Sequence, residues 1–165
     1  MSLPKVALPL VAFVALIIGW NWWTSDTQRI ARRLEALAEA VEKTPGEGQL
    51  ATAFKAEQAA RFFAEPFQFR ARQFDFETVD RGALIRSVAA YRLRSDRIAP
   101  SVLHHELDVD SINRTAKMVA LIRFAGGFRS RANDAYRFQL NWVEQDGEWK
   151  IGYADLIEIV PASVL

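Results

Sequence analysis

Hydrophobic and polar positions divide this chain into one unbroken apolar run and a longer part whose period changes from helical to alternating. From Val6 to Trp23, 18 residues pass without a charge, interrupted among apolar side chains only by Pro9, Gly19 and Asn21. A helix of that length rises roughly 27 Å at about 1.5 Å per residue, close to the ~30 Å hydrocarbon layer of a bilayer. Trp20, Trp22 and Trp23 close the run, where amphipathic indoles favour the headgroup level. A cleaved signal peptide would also start with a charge, here Lys5, and an apolar stretch. Its cleavage site needs small residues, and this run ends in Gly19, Trp20, Asn21, Trp22 and Trp23. The pattern predicts an uncleaved transmembrane anchor over residues 1–23, with Lys5, Trp20, Trp22 and Trp23 at the membrane interfaces, and a folded domain over 24–165.

Past the anchor, Ser25 and Gln28 have capping-box spacing, and Ile30, Leu34, Leu37 and Val41 follow on one helical stripe up to Lys43. Thr44 to Gly48 breaks it. A second helix is expected from Gln49 to Ala64, with Leu50, Phe54 and Phe62 on its apolar side, stopping before Pro66. Phe67, Phe69 and Ala71, then Phe74 and Phe76, read as short extended segments whose phase shifts around Arg72 and Gln73. Seven of the 11 phenylalanines fall between Phe54 and Phe76, which predicts a packed aromatic floor. A third helix spans about Val79 to Arg94, showing Leu84, Val88 and Tyr91 on one side.

The remainder alternates. Leu103, His105, Leu107 and Val109 oppose His104, Glu106, Asp108 and Asp110, so one face is buried and the other wet. Lys117 to Phe124 reads as a central strand, and Gly126 and Gly127 as a bulge or a sharp bend. Tyr136, Phe138, Leu140 and Trp142 alternate with polar residues, and Asp146-Gly147 turns a hairpin into Trp149, Ile151 and Tyr153. Helices gathered ahead of four consecutive antiparallel strands indicate an α+β domain with its helices on one side of the sheet.

Composition sharpens the picture by exclusion. With no cysteine, disulfides, thiolate metal sites and cysteine nucleophiles are ruled out. The formal net charge is +1, and Lys5 alone among the 21 basic residues precedes Trp23. The domain is therefore balanced, with no global basic face for nucleic acid. Lys5 and the amino terminus favour a cytoplasmic N-terminus, against Arg29, Arg32 and Arg33 on the other flank. So short a tail before an uncleaved run is that of a signal anchor. The expected placement is a single pass through the inner, cytoplasmic membrane with the C-terminal domain on its periplasmic, extracytoplasmic side.

Candidate chemistry is sparse. Strand alternation puts His105 with Leu103 and Leu107, and puts Asp155 on the face of Trp149, Ile151 and Tyr153 if no bulge intervenes. A histidine and a carboxylate facing one apolar cavity would shift each other's protonation and act as an acid/base pair. Tyr91, Tyr136 and Tyr153 would then donate to a carbonyl or enolate oxygen. The blander account makes His105 a satisfied core residue and Asp155 a strand cap or the partner of an arginine. Tyr136, Phe138, Trp142, Trp149 and Tyr153 are the candidate ligand-pocket wall. His104 and His105 point to opposite faces, so they do not share a metal, and Asp108 with Asp110 is either a weak cation site or a solvated edge paired with Lys117 or Arg123. No metal or cofactor motif is present. Arg81, Arg86, Arg92, Arg94 and Arg97 cluster on or after the third helix, with Arg70, Arg72, Arg129 and Arg131 flanking nearby loops, either as a headgroup or acidic-partner surface or as a solvated face balanced by Asp75, Glu77, Asp80 and Asp96.

The segment from Phe62 to Phe69, the helix DRGALIRSVAAY from Asp80 to Tyr91 and the hairpin FQLNWVEQDGEWKIGYADL from Phe138 to Leu156 resemble the nuclear transport factor 2-like superfamily, which includes SnoaL-like cyclases and ketosteroid isomerases. The resemblance covers roughly residues 28–160. It implies a cone of about three helices on a curved, mostly antiparallel sheet. Ketosteroid isomerases use an aspartate base, a tyrosine and a protonated acid, and those positions have no one-to-one match here. The layout of anchor plus cone is also similar to the inner-membrane assembly subunit of type IV secretion systems. Because this fold hosts enzymes, binding pockets and assembly modules alike, the expectations are three. The first is a membrane-anchored accessory subunit that joins a membrane-protein complex or homo-oligomer. The second is a tethered SnoaL-like or isomerase-like enzyme on an apolar substrate. The third is a non-catalytic pocket for a small apolar ligand such as a lipid or pigment.

Overall fold

Ser25 caps the first helix as its spacing predicts. Its hydroxyl accepts from the Gln28 N–H at 3.4 Å and starts α1 (Asp26–Val41). Ile30 and Leu34 are fully buried, and Leu37 packs beside them. The computed structural model describes residues 25–126 and 134–164. The expected anchor over Val6–Trp23, with Lys5, Trp20, Trp22 and Trp23, lies outside the described residues, as do Gly127, Arg129 and Arg131. Among the described residues no helix is long and apolar enough to cross a membrane.

The second helix departs from expectation. α2 (Gln49–Ala60) ends before Phe62 and turns a different side inward, burying Thr52, Ala56, Ala59 and Ala60 while Leu50 is 89% and Phe54 56% exposed. The reason is its neighbour: α2 lies against α3 (Arg81–Leu93), and small side chains let two helix backbones approach. Phe62 and Phe63 leave the helix because the sheet claims them. The Phe62 carbonyl accepts from Ile151 N at 2.8 Å, and Phe63 opens β1 (Phe63–Ala71).

A single 3-10 turn, Arg72–Phe74, follows β1 where the apolar phase shifts, and leads to the short β2 (Phe76–Thr78). After α3 come β3 (Ala99–Asp110), β4 (Thr115–Ala125), β5 (Ala135–Gln145) and β6 (Glu148–Val160). They form one six-stranded sheet in the order β2-β1-β6-β5-β4-β3. β1 and β6 run parallel and every other pair is antiparallel, so the four late strands pair as the alternation predicts.

The helices cover one face of this sheet. Beneath them Met118, Leu140, Trp142, Trp149 and Ile151 meet Ile30, Leu34 and Leu84, and the early phenylalanines complete the floor, with Phe63 5.3 Å from Phe67 and Phe69 5.7 Å from Phe76 between ring centroids. Trp142 and Trp149 are 0% and 1% exposed. Each indole removes roughly 150–250 Å² from water, a gross gain of about 4–6 kcal/mol before ordering entropy. Trp149 also donates its indole N–H to Asp26 at 3.2 Å, fixing the start of α1 to β6.

Bulges re-phase two strands. In β6, Trp142 pairs with Ile151 but Asn141 pairs with Tyr153, so Gly152 is an extra residue. Trp149 and Ile151 face the helices, while Tyr153 and Asp155 face outward. In β3 the shift falls between Val102 and His104, leaving Leu103 as the bulged residue, 40% exposed. A third correction concerns charge. Arg92, expected on a solvated arginine face, is 0% exposed, and its guanidinium caps the carbonyls that end α1 with Glu47 as counter-ion.

Candidate functional site

At the C-terminal end of α3 an aromatic group stands half open between helix and sheet. Tyr91 comes from the last turns of α3, Tyr136 from the start of β5, Phe124 from the end of β4 and Phe74 from the 3-10 turn. The Phe124 and Tyr136 rings meet edge to face at 5.6 Å, and Phe74 lies 6.4 Å from Tyr136. Phe74 is 48% and Tyr91 36% exposed. Both phenols are pushed above the ordinary tyrosine range. For Tyr91 burial is the main cause and the Tyr136 charge the second; for Tyr136 it is burial and then the Asp134 carboxylate. Both hydroxyls therefore stay protonated at neutral pH, available as donors to a ligand oxygen. Phe138, half-buried on the same sheet face as Tyr136, joins this group to the core.

Of the candidate pocket wall, Tyr136 and Phe138 thus lie at the opening, together with Tyr91. Trp142 and Trp149 do not: they are fully enclosed and fill the cone. Tyr153 stands on the outer sheet face, where its hydroxyl donates to Asp155 Oδ2 at 3.0 Å and the Arg70 guanidinium lies 5.9 Å from its ring centre. Arg70 in turn pairs with Glu77 at 3.0 Å, and the Gln68 amide, then Arg70, holds that carboxyl below its usual range.

His105 and Asp155 are not brought together. His105 pairs with Ala120 on edge strand β3, faces the helix side of the sheet and is exposed, whereas the Gly152 bulge sends Asp155 to the opposite face. An acid/base pair in one apolar cavity is not formed by these two residues. His104 and His105 do point to opposite faces, across from Leu121 and Ala120. Asp108 stands directly opposite Lys117, and Asp110 is spent on its own turn, so the two do not make a cation site. Among the described residues no group of His, Asp and Glu is placed to hold a metal.

The arginines are mostly neutralised locally: Arg81 by Glu65 at 2.7 Å, Arg86 by Asp80 at 3.6 Å and Arg92 by Glu47. Glu77 and Asp80 act as expected, while Glu65 and Glu47 do the work foreseen for Asp75 and Asp96. Away from the aromatic group, a cleft of about 480 Å³ between α1 and α2 is lined by Arg33, Glu39, Lys55, Arg61, Phe62 and Glu148 among others. Arg33 spans it, 4.8 Å above the Phe62 ring and 3.2 Å from Glu148. Sequence pattern gave no sign of it, since its residues belong to two separate helices and a turn. Phe74 and Phe124 were likewise read only as strand residues.

No family model and no curated protein matches this sequence. Solved structures do resemble its fold. A nuclear transport factor 2-like protein from Cytophaga hutchinsonii superposes with a TM-score of 0.61 at 11% identity, over 83% of this chain and 98% of that one. A protein proposed to be a scytalone dehydratase from Novosphingobium aromaticivorans gives 0.60 at 14% identity, over 79% and 82%. One proposed to be an aromatic ring hydroxylase from the same organism gives 0.59 at 16%, over 81% and 91%. At such identities the likeness speaks to architecture alone. This chain has the nuclear transport factor 2-like fold.

Proposed function

We propose that this chain is a single-pass inner-membrane protein whose extracytoplasmic cone is a binding and assembly module, an accessory subunit that docks on other membrane or periplasmic proteins or on its own copies. The observation that carries this reading is the filled cone. Trp142 and Trp149 occupy the space beneath the helices, and the two polar residues best suited to proton transfer stand on opposite faces of the sheet. Recognition then falls to the rim and the outer sheet face, where Val119, Leu121, Val143 and Tyr153 are only half-buried. The uncharged run from Val6 to Trp23 supports the anchor, and a freely diffusing metabolic enzyme gains little from one. Purification of the full chain from mild detergent, with identification of what accompanies it, tests the proposal. A stable protein companion or a defined oligomer is expected, and a lone monomer overturns it.

A second reading rests on the aromatic opening. Two protonated phenols beside Phe74 and Phe124 suit a small apolar molecule bearing a carbonyl oxygen, and two proteins of this fold are described as a dehydratase and a ring hydroxylase. In that reading the domain is a tethered enzyme, or a pocket without chemistry, for a ligand drawn from the bilayer. Tyr91→Phe and Tyr136→Phe separate these cases: loss of turnover with binding retained marks the enzyme, and loss of binding alone marks the pocket.

A further inference from the structure

The turn between β3 and β4 presents an isoleucine to solvent in a way the fold does not use. Ile112 is 93% exposed. Its backbone is held, because Asp110 accepts from Ile112 N at 3.1 Å and from Asn113 N at 3.0 Å, and also takes the Asn113 side-chain amide. A large aliphatic side chain is therefore kept outward by a preformed turn.

The position of this turn is the second observation. The next residue but one, Arg114, pairs with Glu144, whose N–H donates to the Arg114 carbonyl at 3.1 Å. Glu144 also lies 3.7 Å from Arg29 of α1, and Arg29 donates to the Gly147 carbonyl at 2.8 Å. The β3–β4 turn, the β5–β6 turn and the first turn of α1 thus share one end of the domain. It is the end at which α1 begins, directly after residues 1–24. Arg29 and Arg114 are answered there by Asp26 and Glu144, so these two cations do not call for anionic lipid.

We propose that the β3–β4 turn is a second membrane contact, in which Ile112 enters the interfacial layer of the bilayer and holds the cone with this end against the lipid. The inference rests on the anchor reading above. One isoleucine binds a membrane too weakly to recruit a free protein, but on a domain whose first helix starts three residues after the apolar run the contact is intramolecular and its effective concentration is high. The occupant is the phospholipid surface itself, since the chain leading to this end carries the apolar run.

Because the chain has no cysteine, an Ile112→Cys variant of the full protein accepts one environment-sensitive fluorophore, and Leu50→Cys, at the far end beside the α1–α2 connection, supplies the control. In phosphatidylcholine vesicles the label at 112 should shift to the blue and be quenched by doxyl-labelled lipid, at low and high salt alike, while the label at 50 stays in water. If the chain floats with the vesicles but both labels are equally water-accessible, the second contact is overturned and the anchor stands. If the chain does not float with them, the anchor reading falls and this inference falls with it.

Discussion

Lys43 and Arg92 exchange helix caps. The Arg92 guanidinium donates to the carbonyls of Ala40, Val41 and Glu42 at 3.4, 2.6 and 2.9 Å, closing α1, while Lys43 Nζ donates to the carbonyls of Arg92 and Ser95, both at 2.7 Å, closing α3. Cations at helix C-termini suit both the orphan carbonyls and the dipole. The two segments that follow these helices are tied side by side by the paired backbone bonds of Lys43 and Ile98. Glu47 is the anion of this buried knot. Arg92→Met should strand its carboxylate and three carbonyls, lowering stability by about 3–5 kcal/mol in urea denaturation. Lys43→Met should lose about 1–3 kcal/mol, because fewer groups go unpaired. Equal, negligible losses would show that the knot does not stabilise the fold.

The tyrosine pair predicts an alkaline limb. A phenol whose folded value lies above the unfolded one binds its proton more tightly in the native state. Its stabilising effect is complete below about pH 10 and fades as pH rises through the folded value. The phenolate absorbance of the native protein should therefore appear later than in the denatured chain. Tyr136→Phe should bring Tyr91 part of the way back, since the Tyr136 charge is the second cause of its shift, and Asp134→Asn should do the same for Tyr136. Unchanged titration of Tyr91 in the Tyr136→Phe protein would separate the two rings.

Gly126 has φ +81°, and a Cβ there would stand 2.7 Å from the Arg97 carbonyl oxygen. Gly126→Ala should cost about 1–2 kcal/mol for the left-handed backbone, with a further loss from the clash, read as a lower melting temperature. A melting curve equal to the parent's would mean that the backbone at this bend relaxes freely.

Asp110 should titrate below the usual carboxylate range, because the Asn113 backbone N–H, its side-chain amide and the Ile112 N–H all stabilise the charged form. The depressed value means that its contribution is present above the unfolded carboxyl range, near pH 4, and is lost as pH falls through the folded value. Carboxyl carbon shifts followed by NMR in the parent and in Asn113→Ala should show the midpoint rise in the variant. An unmoved midpoint would remove the basis for a preformed turn.

Much of the fold was legible where local chemistry and burial agree. Ser25 capped α1 because its hydroxyl meets a backbone donor three residues on, a relationship contained in the sequence, and Gly126 bent the chain for the reason its type suggests. What failed depended on partners distant in sequence. Leu50 and Phe54 were placed inward by periodicity, but α3 selects the alanine side of α2. Arg92 looked like one of several surface arginines until the end of α1 supplied three carbonyls. Asp155 was mis-faced by Gly152 alone: a single inserted residue inverts the side chains that follow until the next shift at Ile157, and alternation cannot see it. Tyr91 and Tyr136 were each singled out, but their adjacency arises only when α3 folds across the sheet.

The place of β6 in the sheet has a consequence for synthesis. The last strand to be made lies between β1 and β5, so it joins the earliest strand pair to the later meander. A nascent chain has no continuous sheet until residues 148–160 have emerged, and until then Trp142 is paired on its β4 side only. Truncation before β6 would not trim an edge but leave two unconnected fragments. Completion of the sheet is thereby deferred until its last strand has emerged.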